Sequence, residues 1–550
     1  MPVTTEIDAL DLRRATTADS FTFVLRFGAT GALSLLALGA TALAVFAGPW
    51  WWLPAVPLLV LAGVGCWDLL QRKHSVLRNY PVLGHLRFLL EALRPELQQY
   101  FIERNFDGRP YDRDIRSIVY QRAKGTDAEE PFGTERDVYA DGYESLVHSM
   151  APVAAPDDPP RIRIGGPDCS RPYDMALLNV SAMSFGSLSA NAILALNKGA
   201  ALGGFAHDTG EGGLSEYHLR HGGDLVWEIG TGYFGCRTGD GDFDKAEFAG
   251  KAAHDAVKCV SLKLSQGAKP GIGGVLPGGK VNAEIARVRD VPQGQTVISP
   301  PYHRVFSTPR ELVLFIASMR ELAGGKPTGF KLCVGSRRQF LAVCKAMLAE
   351  GVTPDFIIVD GAEGGTGAAP LEFADHIGSP LTEGLITVHN ALVGTGLRDR
   401  IKLGASGKVA TGADIVKRLL QGADYTNAAR AMMFAVGCIQ AQRCHTNTCP
   451  VGVTTQDARR ARALDVADKS LRVERFQRST VTGAQQIMAS MGVRFPAELR
   501  PHMLRRRVDP HRVRSYAELY DWLAPEQLLA EPPRDWAQDW AAADPDHFTV

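Results

Sequence analysis

Three cysteines crowd into the twelve residues from Cys438 to Cys449, with Cys444 between them, and Pro450 follows directly. Structural zinc sites favour paired Cys-x2–4-Cys knuckles and four ligands. Gaps of five and then four residues are atypical for that metal, even with His445 as a fourth ligand. Three thiolates suit a cubane lacking one iron, [3Fe-4S], and a proline after the last ligand is a habit of iron–sulfur loops. Zinc and unliganded thiols are the competing readings. The other six cysteines, Cys66, Cys169, Cys236, Cys259, Cys333 and Cys344, are scattered in apolar or mixed surroundings. An odd total without paired spacing does not form a disulfide framework and agrees with a reducing cytoplasm.

A second signal is glycine. The chain carries 56 in 550 residues, above the ~7% of ordinary proteins. Many follow short apolar runs, as in Gly210-Glu211-Gly212-Gly213, Gly267–Gly279, Gly361–Gly367 and Ser406-Gly407. Glycine lets backbone approach a ligand closely. Four such loops on one face point to a bound planar or phosphorylated molecule.

The elements that would carry these loops alternate. Ala176–Met183, Gly204–His207, Cys259–Leu264, Gly329–Val334, Asp355–Val359, Ile401–Ala405 and Ala423–Ala428 read as buried strands, and an eighth, poorly marked, falls near Trp227–Cys236. Between them Ser189–Leu202, Pro309–Leu322, Arg337–Glu350, Glu383–Val393 and Ala413–Gln421 show helical apolar spacing. Thr308-Pro309-Arg310-Glu311 reads as a capping box with proline at the first helical position. Eight βα units make an α/β fold of the (β/α)8 TIM-barrel type the leading architecture, with a doubly wound sheet as the alternative.

Sixty Lys and Arg balance sixty Asp and Glu, which argues against nucleic acid as a partner. That balance hides 41 charge-free positions between Arg26 and Asp68. Gly28–Ala47 and Trp51–Trp67 fit two membrane spans joined by Gly48-Pro49-Trp50, with Trp50, Trp51 and Trp52 at an interface. Arg13, Arg14 and Arg26 precede this transmembrane helical hairpin, and Arg72, Lys73 and Arg78 follow it. The positive-inside rule therefore puts both ends in the cytoplasm. A signal peptide and a buried soluble hairpin are the alternatives. The expected organisation is a cytoplasmic segment 1–26, two spans in 27–68, a linker and covering segment 69–174, a barrel with its cysteine loop 175–455, and a helical extension 456–550.

The ordered motifs resemble the FMN-binding glutamate synthase family. The cysteine string Cys438…Cys444-His445-Thr446-Asn447-Thr448-Cys449-Pro450 is similar to that family's [3Fe-4S] loop. Ser181-Ala182-Met183-Ser184-Phe185-Gly186, Asp208-Thr209-Gly210-Glu211-Gly212-Gly213, Lys263-Leu264-Ser265-Gln266-Gly267-Ala268-Lys269-Pro270-Gly271 and Asp360-Gly361-Ala362-Glu363-Gly364-Gly365-Thr366-Gly367 resemble its FMN barrel. The likeness covers about residues 175–460 and, with the charge-free N-terminus, is similar in organisation to stand-alone bacterial members.

The resemblance implies FMN and a [3Fe-4S] cluster as cofactors. It places Ser406, Gly407, Ala429 and Arg430 at the FMN phosphate, and Gly364, Gly365 and Thr366 where backbone meets the cofactor. Ala182, Met183 and Ser184 would lie against the ring, Lys331 would face its N1–O2 edge, and Gln266 would bond ring or substrate. Cys438, Cys444 and Cys449 would hold the cluster. The implied reaction reduces 2-iminoglutarate, from 2-oxoglutarate and ammonia, to glutamate. Lys263 and Lys269 would then contact a substrate carboxylate, and Glu211 would contact the amine or orient a loop. An external donor, ferredoxin or a reductase subunit, would supply electrons, and a homo-oligomer is compatible with this picture. His207, His303 and His389 read as structural.

The chain also departs from the family. It opens Met1-Pro2-Val3, without the cysteine nucleophile of an amidotransferase, and Thr455–Val550 is too short for a Gly-rich β-helical domain. No glutaminase is expected, so nitrogen would come as free ammonia or from a partner. Where the family has Asp-Gly-Gln this chain has Ser406-Gly407-Lys408. The departures leave room for another amine, as in N-alkylglutamate formation, or for an electron-transfer subunit without imine reduction.

Overall fold

The structure, a computed structural model, describes residues 27–126, 129 and 131–550. Arg13, Arg14 and Arg26, invoked for orientation, lie outside the described residues. The chain divides into two compact units, meeting in sequence at Gly108 and Arg109.

In the first unit, α1 (Ala29–Phe46) and α2 (Trp52–Leu70) are joined by a single turn at Pro49–Trp51. Small side chains make the shared face, with Ala37, Ala40, Ala44, Ala55 and Ala62 buried, while Leu35, Leu36, Leu38, Val56 and Val60 point outward. Both helices are long and apolar enough to cross a membrane. The helix α3 (Gly84–Leu97) runs through Pro95, and its end widens into a π turn over Gln98–Ile102.

The second unit is built on a closed barrel of eight parallel strands. In chain order they are β1 (Leu178–Val180), β2 (His207–Asp208), β3 (Leu225–Ile229), β4 (Val257–Lys263), β5 (Thr328–Leu332), β6 (Phe356–Asp360), β7 (Lys402–Ser406) and β8 (Tyr425–Ala428). β8 closes the ring on β1, Ala428 opposite Val180, which excludes the doubly wound alternative. Three strands differ from expectation. β1 is shorter, because Tyr173–Ala176 pairs instead with Arg161–Ile164 in an antiparallel hairpin and residues 181–183 leave the ladder. β2 begins at His207, since Gly204, at φ +63°, ends the preceding helix. β3 ends at Ile229, and Tyr233, at φ +49°, belongs to the turn beyond.

The helices follow their signals closely. The covering helix α4 (Arg113–Lys124) precedes the barrel, and α5 (Ala190–Gly203) starts from Ser189, whose hydroxyl accepts the Ala192 N–H. α6 (Pro309–Leu322) is capped by Thr308, while the Glu311 carboxylate takes the N–H and hydroxyl of Ser307, one residue earlier than a standard capping box. The others are α7 (Arg337–Glu350), α8 (Leu381–Gly394), α9 (Gly412–Leu420) and α10 (Arg430–Ala435). The long α11 (Val466–Ser490) lies across α4 and α5. A Cβ on Gly199 of α5 would come within 2.7 Å of Val473, so only glycine permits that approach. The terminal extension is not wholly helical. Leu504–Asp509 and Arg512–Ser515 form a sheet with Glu144–Leu146 and fasten the covering segment to the barrel unit.

Candidate active site

Side chains alternate across a strand, and at the C-terminal ends of β2 to β6 the inward positions are charged. They hold Asp208, Glu228, Lys263, Lys331 and Asp360. Lys331 stands opposite Lys263 in neighbouring strands, and each ammonium has a carboxylate partner. Lys263 pairs with Glu211 at 3.0 Å, and Lys331 forms an ion pair with Glu228. Lys331 is buried inside the barrel. Burial disfavours its charge, but Glu228, Asp208 and Asp360 outweigh burial and hold its pKa above the ordinary lysine value. Asp208 moves the other way. Burial, with Glu228 beside it, pushes its carboxyl up to about 8 despite Lys331.

Three cations surround Glu211. Lys263 and Lys269 come from β4 and the loop after it, and Arg289 from a short helix, Ala283–Arg289, in the same excursion. Arg289 is buried, donates to Ser184 Oγ at 3.1 Å and to the Phe185 carbonyl at 3.0 Å, and stacks over Phe234. Burial opposes ionisation of Glu211, yet Lys263, Lys269 and Arg289 bring its carboxyl below the usual range. Burial pushes Lys269 down to about 8, with Glu211 opposing, and Arg289 down to about 10. A pocket with this excess of buried cations suits a small dicarboxylate.

Loops after β4, β6 and β8 interlock beside this cluster. Gly267 N donates to Asp360 Oδ2 at 2.8 Å, and Gln266 Nε2 reaches Thr366 Oγ1 at 3.4 Å. A Cβ on Gly365 would meet Arg430 Cδ at 2.9 Å, and Arg430 Nη2 donates to the Glu363 carbonyl at 2.6 Å while packing over Tyr111. Ser406 Oγ bonds Ser181 Oγ at 3.1 Å, next to Ala182, Met183 and Ser184. Lys408 follows Gly407, and its ammonium is pushed down by burial and by Arg430, with Glu363 the nearby anion raising it. Two cations at the ends of β7 and β8, at the start of α10, fit a phosphate.

The cysteine loop leaves α10 and is shaped by positive-φ residues at Gln440, Gln442 and Asn447. Among the described residues no three acidic, His or Cys groups close on a single ion, whereas a cluster spreads three thiolates over three irons. The three thiols differ in their surroundings, burial pushing Cys438 up to about 12 and Cys444 upward, so that only Cys449 is a ready thiolate before a cation arrives. Burial opposes ionisation of Cys449, but the Thr454 hydroxyl and the N–H groups of Thr454, Val451 and Val453 outweigh it and hold that thiol below its ordinary value. Buried Lys280 lies alongside, donating to the carbonyls of Ser187 at 2.8 Å, Thr454 at 3.1 Å and Cys444 at 3.3 Å. One ammonium thus joins the loop after β1 to the cysteine loop.

Most residues expected from the motifs therefore gather at one mouth. Asp208, Glu228, Arg289, Lys280 and Lys408 had no expected role. The Asp208-to-Gly213 motif and the Ser406-Gly407-Lys408 departure contained two of them, and Arg289 and Lys280 carry no motif of their own. The ring nitrogens of His303 are bonded to Tyr233 OH and the Lys263 carbonyl. A cavity of 730 Å3 opens beside Leu264, Ser265, His303 and Cys333, just past the ends of β4 and β5, and one of 760 Å3 lies around Arg171 and Asp224.

A closed parallel barrel with its charged groups and thiol loop at the C-terminal ends of the strands has the architecture of a barrel enzyme. Residues 172–494 match the family described as "Conserved region in glutamate synthase". The chain belongs to the glutamate synthase family of oxidoreductases. It is 38% identical over 497 residues to the glutamate synthase large subunit-like protein YerD of Bacillus subtilis, covering 83% of this chain and 94% of that one. It is 33% identical over 323 residues to the archaeal glutamate synthase (NADPH) of Methanocaldococcus jannaschii, covering 58% of this chain and 60% of that one. The ferredoxin-dependent glutamate synthase of Antithamnion sp. is 39% identical over 199 residues, 36% of this chain and 13% of that one.

Proposed function

We propose that this chain reduces 2-iminoglutarate, formed from 2-oxoglutarate and ammonia, to glutamate. FMN would lie in the barrel mouth and a [3Fe-4S] cluster on Cys438, Cys444 and Cys449. The observation that carries the reading is the buried trio Lys263, Lys269 and Arg289 around Glu211, which matches a dicarboxylate beside a cationic imine. Lys263 and Lys269 bind carboxylate oxygens. Glu211, freed in part from Lys263 when substrate enters, faces the iminium nitrogen and orients it. FMN, when bound, supplies a hydride to the imine carbon. Lys331, held charged by Glu228 and Asp360, would keep a fixed positive charge at the ring edge. Arg430 and Lys408, with the N–H groups of Ala429 and Arg430, hold the phosphate; Ser406 and Gly407 shape that end of β7. Ala182, Met183, Ser184, Gly364, Gly365 and Thr366 give the ring its walls, and Gln266 bonds ring or substrate. Electrons come from an external donor of ferredoxin or reductase type.

In this reading α1 and α2 anchor the enzyme in a membrane. Arg72, Lys73 and Arg78 mark the cytoplasmic side, and the exposed Trp50, Trp51 and Trp52 mark the opposite interface. The decisive test is anaerobic. Photoreduced holoprotein should reoxidise on addition of 2-oxoglutarate with ammonia and release glutamate. A flavin that exchanges electrons with a redox carrier but ignores every 2-oxo acid and amine offered would leave an electron-transfer subunit instead.

A further inference from the structure

The first unit carries one apolar surface that the proposed reaction does not use. In α3 and its extension, Leu86, Leu89, Leu90, Leu93, Leu97 and Phe101 recur every three or four residues and form one stripe. All are exposed, from 41% for Leu97 to 82% for Phe101. Arg87 and Glu91, paired with each other at 2.8 Å, fall off the stripe. A continuous apolar face of this length is normally covered.

Geometry identifies the cover. Asp68 sits in the last turn of α2, fully buried, with both carboxylate oxygens 3.0 Å from His85 Nε2 and Oδ2 accepting the Val82 N–H at 2.9 Å. This latch fixes the first turn of α3 to the end of α2, the level at which α2 would leave the apolar layer. Charge agrees. From Gln71 to Arg109, the seven basic residues Arg72, Lys73, Arg78, Arg87, Arg94, Arg104 and Arg109 face four acidic ones, Glu91, Glu96, Glu103 and Asp107. The helix itself is balanced, Arg87 and Arg94 against Glu91 and Glu96, and the excess lies in Arg72, Lys73 and Arg78 just before it; an amphipathic helix that follows such a basic segment, beside a hairpin of spans, suits anionic headgroups and the acyl chains beneath them.

We infer that α3 and its extension lie in the cytoplasmic interface of the bilayer crossed by α1 and α2, the leucine stripe immersed and the Asp68–His85 latch holding its start in place. This rests on the membrane reading of the hairpin. The test uses full-length holoprotein in vesicles of phosphatidylcholine and phosphatidylglycerol, photolabelled by a diazirine dissolved in the lipid and mapped by peptide mass spectrometry. Label on α1 and α2 together with Leu86, Leu90, Leu93 and Leu97, sparing Arg87 and Glu91, is the expected result. A double variant, Leu90→Glu with Leu93→Glu, should lose the α3 label and keep the hairpin label. A labelled hairpin with an unlabelled α3, whether or not α3 cross-links to a second copy, overturns the inference and leaves the anchor standing. Unchanged α3 label in the double variant also overturns it. A chain labelled nowhere overturns the anchor itself.

Discussion

Lys269 gives the substrate pocket a pH limit. Its side chain is 4% exposed, and burial, with Lys263 adding to it and Glu211 opposing, lowers its pKa from 10.5 to about 8. That difference corresponds to about 3 kcal/mol of resistance to holding the charge. If the ammonium grips a substrate carboxylate, the free protein binds 2-oxoglutarate well only while Lys269 is protonated. About nine-tenths of the molecules are competent one pH unit below 8 and about one-tenth one unit above, so Kd should rise toward tenfold per pH unit above 8. Titrating 2-oxoglutarate into oxidised holoprotein without ammonia, and following the flavin spectrum from pH 6.5 to 9.5 (roughly one pKa width either side), measures this directly. Lys269→Arg should bind with little pH dependence over that range, because arginine stays charged. Kd values that stay flat through pH 9 refute the assignment. So does an unchanged rise in Lys269→Arg, which would make Asp208, also near 8, the titrating group. The two have opposite effects on stability. The fold disfavours the Lys269 proton, so this group's contribution improves as pH rises from about 8 toward 10.5. The fold favours the Asp208 proton, a contribution complete below the unfolded carboxyl value and lost as pH rises through about 8.

Three further outcomes are expected. Cys444→Ser should abolish the EPR signal of the oxidised cluster, and an unchanged signal refutes its role as a ligand. Lys408→Gln removes a charge from the proposed phosphate grip and should weaken FMN by about 1.5 kcal/mol, roughly tenfold in Kd, by fluorescence titration of the deflavinated protein; equal affinity refutes it. At the opposite end of the barrel, buried Asp355 accepts Arg320 Nε at 2.8 Å, Thr328 N at 2.8 Å and Gly166 N at 2.6 Å. Asp355→Ala leaves the buried Arg320 guanidinium only the Thr353 carbonyl and Asp168 at 3.6 Å and should cost about 3 kcal/mol in urea unfolding, and a loss below about 1 kcal/mol would show that pair to be unimportant.

The barrel is legible in the sequence because its strands are short apolar runs and its helices begin at strong caps such as Ser189 and Thr308. Strand limits are less so. Ala176–Met183 reads as one strand, yet Ala176 ends the antiparallel pairing with Arg161–Ile164 and the barrel strand begins only at Leu178. The hairpin Leu504–Ser515 is hidden for a related reason, since its run of arginines resembles a solvated helix and its partner strand lies more than 350 residues away at Glu144. In the site, glycine loops and cysteine spacing stand out because each residue type has few uses. Glu228 and Lys280 do not. A lone glutamate on an apolar strand or a lysine after two glycines gains meaning only from what the fold sets opposite it, Lys331 in one case and the Cys444 carbonyl in the other.

The same pairing accounts for the charge at the mouth. Lys263, Lys269, Lys331, Lys408, Arg289 and Arg430 are six cations, and Asp208, Glu211, Glu228, Asp360 and Glu363 are five carboxylates. Asp208 keeps its proton below about pH 8, so at neutral pH six positive charges meet four negative ones. A chain that is neutral overall, with 60 charges of each sign, thus holds an excess of about two positive charges where backbone glycines and water-poor walls make charge costly. That excess is unfavourable for the empty barrel and is relieved by anions. A cofactor phosphate at Arg430 and Lys408 and a dicarboxylate at Lys263, Lys269 and Arg289 would relieve it at separate points. Each anion should therefore raise the unfolding temperature of the apoprotein on its own. The increments should add when both are bound, because each anion neutralises a different set of cations.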